Sequence, residues 1–340
     1  MIKSLRWLLL SLCFYGATPL LFSNVEMMKC PMGRDYDLYL PEKIDPDRTY
    51  WLVCYVHGAH GTAQDDIKSL QHFVDHGDCI GVAPSFARGF QLLKNGMDQQ
   101  LIGILHQLSS KYKLHAKLFV YGHSAGGQFS HRFMLRHPDL VIGCEACSSG
   151  TWTAGGVYQS LTPAAKEVPM AIACGSEDSG KIGAVIERLT VNCSVAAHTP
   201  KENPDWNRME WFKKFTQQLE QRNFFFKAHI FPDDVHNVPM KEQESLALEP
   251  FLLGTSRMLP QERANYDAAI ATIKKNKADG KTDLVTSGLQ QLRHDVDSRS
   301  KETVRAALLA QDWHVNEAAL DQCLRAAEEF VDEEINFIQK

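Results

Sequence analysis

One stretch of the sequence decides the fold, and it reads Leu118-Phe119-Val120-Tyr121-Gly122-His123-Ser124-Ala125-Gly126-Gly127. Its apolar first half predicts a strand, and the segment Gln128–Arg136 behind it has a helical pattern. Between a strand and a helix, the pattern G-x-S-x-G is typical of a sharp, strained turn that exposes a serine hydroxyl above the sheet. Gly122 and Gly126 fall where a side chain would clash with the neighbouring backbone. The alternative is an ordinary glycine-rich turn with a solvated serine.

The same turn offers hydrogen-bond donors for a negatively charged oxygen. The Ala125 amide and the helix N-terminus point at the place where charge develops when Ser124 attacks a carbonyl group. A second donor is expected from the loop His57–Gly61, which follows a predicted strand. We predict the Ala59 amide for this role, with Gly58 as the alternative.

Two histidines lie in that loop. His57 is predicted to hold the loop by hydrogen bonds, and we also count it among the substrate-contacting residues. His57 and His60 do not form one of the usual metal-ligand sets, and the pair Cys144 and Cys147 lacks a second pair at zinc-site spacing. The sequence therefore predicts no metal site and no cofactor.

A serine nucleophile also needs an acid that orients its base. The serine hydroxyl is weak at neutral pH, so a histidine must take its proton, and a carboxylate must hold that histidine. In this architecture the acid follows a later strand. The predicted strand Val168–Cys174 leads into Gly175-Ser176-Glu177-Asp178. We predict Asp178 as the acid, with Glu177 as the alternative because neighbouring side chains at a strand end point different ways.

The base is expected after the last strand. Phe225–Phe231 is the last strand pattern, and the chain then runs from Pro232 to His236. The chain order serine, acid, histidine therefore predicts His236 as the base. His198, in a polar loop, and His229, inside the strand pattern, are the competing histidines.

Strand and helix patterns alternate through the middle of the chain, which predicts an α/β fold with a mostly parallel sheet and helices on both faces. Helical patterns cover Asp98–Tyr112 and Glu210–Gln221. From Pro260 to Lys340 no strand pattern appears, so we predict an all-helical C-terminal extension whose last helix has Asn316 as its N-cap. The predicted strands are Tyr36–Leu40, Tyr50–Val56, Cys79–Pro84, Ala116–Tyr121, Leu140–Ala146, Val168–Cys174 and Phe225–Phe231.

The first 25 residues have the pattern of a secretory signal. Lys3 and Arg6 precede the almost continuously apolar run Trp7–Phe22, and an uncleaved N-terminal anchor is the alternative. We therefore predict export, with membrane association at the N-terminus if the segment is kept. The predicted boundaries are 1–25 for this segment, 26–258 for the catalytic domain and 259–340 for the helical extension. Removal of the segment would leave eight of the nine cysteines, an even number that permits disulfides.

Composition excludes several classes of protein. The 340 residues include 36 lysines and arginines against 41 acidic residues, a net charge of −5 without a basic block, so no nucleic-acid partner is expected. The 44% apolar content is enough for a sizeable core and argues against a disordered chain. Beyond the N-terminus there is no apolar run of about 18 residues, which excludes a polytopic membrane protein.

At these residues the chain resembles the α/β-hydrolase superfamily, within it the esterases related to polyhydroxybutyrate depolymerases and to feruloyl and acetylxylan esterases. The resemblance covers about residues 35–255 and rests on Gly122–Gly127 followed by His137-Pro138-Asp139-Leu140, on the His57–Gly61 loop and on Gly175-x-x-Asp178. It implies an α/β-hydrolase fold and a serine esterase that cleaves small-molecule or polymer-borne carboxylic esters through an acyl-enzyme. The chain departs from the group around His236, where the group often has a glycine and a tryptophan.

Substrate contacts and rival functions complete the sequence-based expectations. Trp152 is predicted to border an acyl pocket, with further contributions from Phe86, Phe90 or Trp206. A serine peptidase or an acyltransferase would use the same three residues. A rival of another class is a non-catalytic binding or scaffold protein, with the helical extension as its working part.

Overall fold

The computed structural model describes residues 24–59, 61–63, 67–75, 78–93, 96–152, 163–178 and 208–339. The predicted leader up to residue 23 lies outside the described residues, and so do His60, Cys193, His198 and Trp206. What the sequence predicts for these positions stays a prediction.

The strands of the described residues form one mixed sheet. They are β1 (Asn24–Lys29), β2 (Asp35–Leu40), β3 (Tyr50–Val56), β4 (Cys79–Pro84), β5 (Leu114–His123), β6 (Val141–Cys147), β7 (Met170–Gly175), β8 (Phe226–Phe231) and β9 (Trp313–His314). Their order across the sheet is β1-β2-β4-β3-β5-β6-β7-β8-β9. Strands β3 to β8 run parallel to their neighbours in that series, whereas β1, β2 and β9 pair antiparallel.

Helices cover both faces of this sheet. Strand β3 shows how, because Leu52, Cys54 and Val56 join one apolar cluster whereas Val53 and Tyr55 join another. The first cluster includes residues of α2, α3 and α5, and the second includes residues of α1 and α6. The described helices are α1 (Gln71–Val74), α2 (Met97–Ser109), α3 (Ala125–Arg136), α4 (Pro163–Glu167), α5 (Arg208–Gln221), α6 (Met240–Thr255), α7 (Pro260–Ala278), α8 (Thr282–Asp297), α9 (Lys301–Leu309) and α10 (Glu317–Gln339).

The predicted fold class is confirmed, and all seven predicted strands are present within a few residues of their expected ends. Strand β1 was not predicted: it begins at Asn24, so the last two residues of the segment assigned to the leader belong to the sheet. Its apolar side chains Val25 and Met27 are exposed, so the strand cannot be predicted from a pattern of buried apolar residues.

The C-terminal extension is helical, as predicted, apart from the two-residue strand β9. Trp313 is completely buried on Phe225, and its indole nitrogen donates to Glu249 at 2.9 Å. Asn316 caps α10 by accepting from the Ala319 amide, as predicted, and its own side-chain nitrogen donates to carbonyl groups of the catalytic part. One apolar cluster contains residues from both sides of residue 258, so the extension shares a core with the sheet.

The cysteines of the described residues are free. Seven of them are buried thiols, and they include Cys54 on β3 and Cys174 on β7. In the same ranges no helix is long and apolar enough to cross a membrane. No group of three or more metal-ligating side chains was found in these ranges.

Candidate active site

The turn between β5 and α3 places Ser124 in a strained conformation. Its backbone has φ 56° and ψ −114°, a region that L-residues rarely adopt. The Ser124 amide donates to the Cys147 carbonyl at 2.9 Å, and helix α3 begins at the next residue, Ala125. The turn therefore presents the serine at the carboxyl end of the sheet, directly before a helix N-terminus.

Two glycines make this turn sterically possible. A Cβ atom on Gly126 would lie 1.8 Å from the Val56 carbonyl oxygen, and one on Gly122 would lie 2.5 Å from the same oxygen. Both contacts are with backbone atoms of β3, which cannot move away as a flexible side chain could. Glycine is therefore required at these two positions if the strand and the helix are to approach this closely.

The structure brings the serine, the predicted acid and the predicted base together. The His236 Nε2 atom lies 2.9 Å from the Ser124 hydroxyl oxygen, and His236 Nδ1 lies 2.8 Å from Asp178 Oδ2. A carboxylate only accepts, so Nδ1 carries the proton and donates to Asp178. Neutral His236 then presents an unprotonated Nε2 to the hydroxyl of Ser124, which is the arrangement that a general base requires.

The loops that carry the acid and the histidine hold each other in place. The Glu177 amide donates to the Asp234 carbonyl at 2.8 Å, and the Asp233 amide donates to the Ser176 hydroxyl at 2.9 Å. A Cβ atom on Gly175 would lie 2.3 Å from two carbonyl oxygens of this loop. Any residue other than glycine at this strand end would push the histidine loop away from the acid.

The alternatives to Asp178 and His236 lie elsewhere. Glu177 is exposed, and its amide rather than its carboxylate binds the histidine loop. His229 lies half-buried within β8 and packs against Phe231, with the ring centroids 4.5 Å apart. Geometry therefore favours the pair Asp178 and His236 among the described residues.

Asp178 is a buried carboxylate with two charged or chargeable partners. Its side chain is 1% exposed and accepts from His236 on Oδ2 and from Arg208 Nη1 on Oδ1, the latter at 2.9 Å. Burial by itself raises the pKa of Asp178, but the hydrogen bonds from His236 and Arg208 outweigh it and leave the pKa below its ordinary value. Asp178 is therefore ionised at neutral pH. No motif in the sequence indicates Arg208, which lies 30 residues from Asp178 along the chain.

His123, the residue before the serine, anchors the base from the other side. Its Nε2 atom lies 2.7 Å from the His236 carbonyl oxygen, so this nitrogen carries a proton and donates it. Burial lowers the pKa of His123, which keeps the ring neutral. His123 is the variable residue of the G-x-S-x-G motif, and the motif does not indicate this contact with His236.

The turn between β5 and α3 that carries Ser124 is a strand-to-helix elbow. Ser124, Asp178 and His236 follow the carboxyl ends of β5, β7 and β8 of the mostly parallel sheet. The chain has the α/β-hydrolase fold.

Comparison with known proteins found structural neighbours of low sequence identity and no relative by sequence. No family model matches the chain, and no curated protein is detectably similar to it. A solved poly(aspartic acid) hydrolase-1 from Sphingomonas sp. KT-1 is 20% identical, with a TM-score of 0.49 over 67% of this chain and 98% of that one. A poly(3-hydroxybutyrate) depolymerase from Bordetella parapertussis is 19% identical, with a TM-score of 0.47 over 70% and 92%.

A third solved structure, a ferulic acid esterase from Anaeromyces mucronatus, is 14% identical, with a TM-score of 0.46 over 66% of this chain and 88% of that one. The activities in these names belong to those proteins, and similarity of this extent does not transfer them to this chain.

The two predicted oxyanion donors lie at the start of α3 and in the loop after β3. Ala125 is the first residue of α3, where amide groups have no carbonyl partner within the helix. Ala59 lies exposed in the loop after β3. Both positions suit the roles that the sequence predicts for them, and the roles themselves stay predictions.

His57 supports the loop after β3 with both of its ring nitrogens. Nδ1 lies 2.6 Å from the Gly58 carbonyl oxygen and donates to it, and Nε2 accepts from the Phe86 amide at 3.2 Å. The ring is 3% exposed and lies 4.7 Å from the Phe90 ring. These contacts hold the loop as the sequence interpretation expects, and a substrate contact by His57 stays a prediction.

Trp152 lies in the core, which differs from the acyl-pocket position that the sequence predicts. Its side chain is 4% exposed and stacks on Phe215, with His131 and Phe212 as further ring contacts. Phe86 and Phe90, the other proposed contacts, are also buried and stack on one another. These aromatic residues stabilise the core by packing, since burial of an aromatic ring contributes strongly to core stability.

A buried carboxyl group lies one strand away from the elbow. Glu145 on β6 is paired in register with Tyr121 and is fully buried. Burial raises its pKa to about 8, against the lowering effect of hydrogen bonds from Gln243 and the Gly122 amide. Gln243 donates to Glu145 Oε2 at 3.1 Å, whereas Oε1 of each of these two residues has no partner within the described residues. A neutral acid suits this site, because an uncompensated buried charge is costly.

The substitution Glu145→Gln is expected to remove a pH dependence of stability. Because the pKa is raised in the folded state, stabilisation is complete below the ordinary value of 4.5 and is lost as the pH rises towards about 8. Relative to the wild type, the variant should gain about 3 kcal/mol in free energy of unfolding between pH 5 and pH 8. Urea unfolding at several pH values measures this difference.

Glu242→Gln, at the exposed start of helix α6 beside Gln243, is the matched control for the change of charge, and its stability difference from the wild type should stay nearly constant from pH 5 to pH 8. A stability difference between Glu145→Gln and the wild type that stays constant from pH 5 to pH 8 would show that Glu145 does not take up a proton on folding.

Proposed function

We propose that the protein is a serine hydrolase that cleaves carboxylic esters through an acyl-enzyme intermediate. The observation that carries this proposal is the continuous hydrogen-bonded chain from the Ser124 hydroxyl through His236 to the buried carboxylate of Asp178. A structural serine needs neither a strained backbone nor a base oriented by a buried acid. Both features cost stability, and they cluster at sites of chemistry.

The first half of the reaction uses this chain directly. His236 Nε2 takes the proton as the Ser124 oxygen attacks the ester carbonyl carbon, and Asp178 stabilises the imidazolium that forms. The carbonyl oxygen gains negative charge, which the amides of Ala125 and Ala59 would bind, each donor contributing about 3 kcal/mol by the cost of removing one elsewhere. When the intermediate collapses, His236 gives its proton to the leaving alcohol.

The second half repeats these steps with water. His236 takes a proton from a water molecule, the hydroxide attacks the acyl carbon on Ser124, and the carboxylic acid leaves as the serine regains its proton. No other group needs to enter, since the same base, acid and donors serve both halves.

A fluorophosphonate probe tests the proposal without any knowledge of the natural substrate. The probe reacts only with an activated serine, so we expect one covalent adduct per chain, located on Ser124 by peptide mass mapping. Phosphonylation of Ser124 by the probe, with loss of fluoride, should also abolish the hydrolysis of short-chain p-nitrophenyl esters. A chain that stays unlabelled, or that is labelled on another serine, would overturn the proposal and favour a non-catalytic role.

A further inference from the structure

We propose that Arg208 is a positioning residue that sets the pH range in which His236 works as the base. The inference rests on the proposed function, because it assigns Arg208 an effect on the reacting histidine through Asp178. Nothing in the G-x-S-x-G motif or in the order of serine, acid and histidine calls for an arginine at this place.

The geometry divides the carboxylate of Asp178 between two donors. Arg208, the first residue of α5, donates from Nη1 to Oδ1 at 2.9 Å, while His236 donates from Nδ1 to Oδ2 at 2.8 Å. The carboxylate is 1% exposed, whereas the arginine side chain is 23% exposed. Solvent therefore screens the buried carboxylate little, and the guanidinium group, which is always charged, directly faces the negative charge that stabilises the imidazolium of His236.

Three buried titratable groups around Asp178 and His236 are neutral at neutral pH. Burial lowers the pKa of His123 on β5, and it raises the pKa of the thiols of Cys147 on β6 and Cys174 on β7. The Cys174 thiol, 3.8 Å from Asp178 Oδ2, is therefore a neutral contact. Three acidic residues also lie on the two loops: Glu177, Asp233 and Asp234. In the contacts described above they join the loops through their backbone groups and not through their carboxylates.

The sign of the effect follows from these charges. With Arg208 present, the negative charge of Asp178 is partly compensated, so it stabilises imidazolium less than a lone carboxylate would. The charge of Arg208 therefore favours the neutral ring of His236, which is the form that acts as the base. Removal of the positive charge strengthens the hold of Asp178 on the protonated ring, and the acidic limb of the activity profile should move to higher pH.

A purely structural role for Arg208 would give a different result. The ion pair also ties the start of α5 to the acid loop, so its loss could lower stability or activity uniformly. Such a change would reduce kcat/KM by the same factor at every pH and would leave the position of the acidic limb unchanged.

The test compares pH profiles of kcat/KM for a neutral p-nitrophenyl ester between pH 5 and pH 9. Arg208→Gln should move the acidic limb up by about one pH unit, the size expected for loss of one nearby charge. Arg208→Lys keeps the charge and should stay close to the wild type. Lys213→Gln removes a positive charge from the exposed side of the same helix, where it pairs with Glu210, and should leave the limb in place.

The outcomes separate this inference from the proposed function. An Arg208→Gln variant that is active and is labelled on Ser124 but keeps the wild-type limb overturns the role of Arg208 alone. Failure to label Ser124 in the wild type overturns the proposed function and with it this inference. If the glutamine variant does not fold, Arg208→Met, which keeps the aliphatic stem, makes the same comparison. A limb in Arg208→Lys that moves as far as in the uncharged variant also overturns the inference.

Discussion

Replacement of Ser124 by alanine is expected to lower kcat/KM for a p-nitrophenyl ester by at least about ten-thousand-fold, the cost of removing the nucleophile from a triad of this kind. The substitution deletes the oxygen that lies 2.9 Å from His236 Nε2, so the base no longer has a nucleophile to activate. Initial rates with purified protein measure the effect. The variant should also lose all labelling by a fluorophosphonate.

A matched control removes a hydroxyl group from another helix end. Ser110 is exposed after α2 and donates to the Gln107 carbonyl, so Ser110→Ala should keep the wild-type rate. Circular dichroism should show that both variants are folded. An alanine variant at position 124 that retains a tenth of the wild-type activity would mean that Ser124 is not the nucleophile.

Replacement of Trp313 by alanine is expected to lower the free energy of unfolding by about 3–5 kcal/mol, the usual cost of deleting a buried aromatic side chain. The ring is completely buried against Phe225, and its loss also leaves Glu249 without the indole donor, although Lys227 still pairs with that carboxylate. Urea unfolding monitored by circular dichroism measures the change.

Two controls give this result its meaning. Phe337→Ala removes a ring that is 58% exposed on the same extension and should change the free energy of unfolding by less than about 0.5 kcal/mol. Trp313→Phe keeps most of the ring and should lose about 1–2 kcal/mol, partly through the lost hydrogen bond. If Trp313→Ala were as stable as the wild type, the extension would not be docked on β8 as the shared core indicates.

The elbow could be predicted because its signal is local. The glycines, the serine and the flanking strand and helix lie within twenty residues, and steric limits at Gly126 leave few other conformations for that segment. The acid and the base could also be predicted, because chain order and strand ends in a parallel sheet bring distant loops to one edge. These predictions used topology rather than contacts.

What the sequence did not reveal depends on long-range contacts or on hidden patterns. Arg208 pairs with Asp178, and His123 donates to the His236 carbonyl, so both contacts join separate elements. The residue type at either position does not indicate which residue it will contact. Helix α6 was also missed, since Pro250 in its interior is read as a breaker. Three of the aromatic residues predicted to contact substrate, Trp152, Phe86 and Phe90, are core residues, because an aromatic ring packs in a core more often than it recognises a ligand.

The two loops that carry Asp178 and His236 support each other directly. Backbone hydrogen bonds from Glu177 and Asp233 fasten the histidine loop to the acid loop, and His123 fastens its carbonyl group to the elbow. Rigid support of this kind keeps catalytic atoms within the small tolerance that proton transfer demands.

The small strand β9 has a practical consequence for anyone who wishes to produce the catalytic part alone. Its antiparallel pairing covers one end of β8, and the His314 ring lies flat on Phe226 with the centroids 4.6 Å apart. A fragment cut before Pro260 would uncover an edge strand and the apolar residues beside it, and such edges pair with other chains. Inclusion bodies are the expected yield of that fragment, and a soluble preparation should keep the chain through α10.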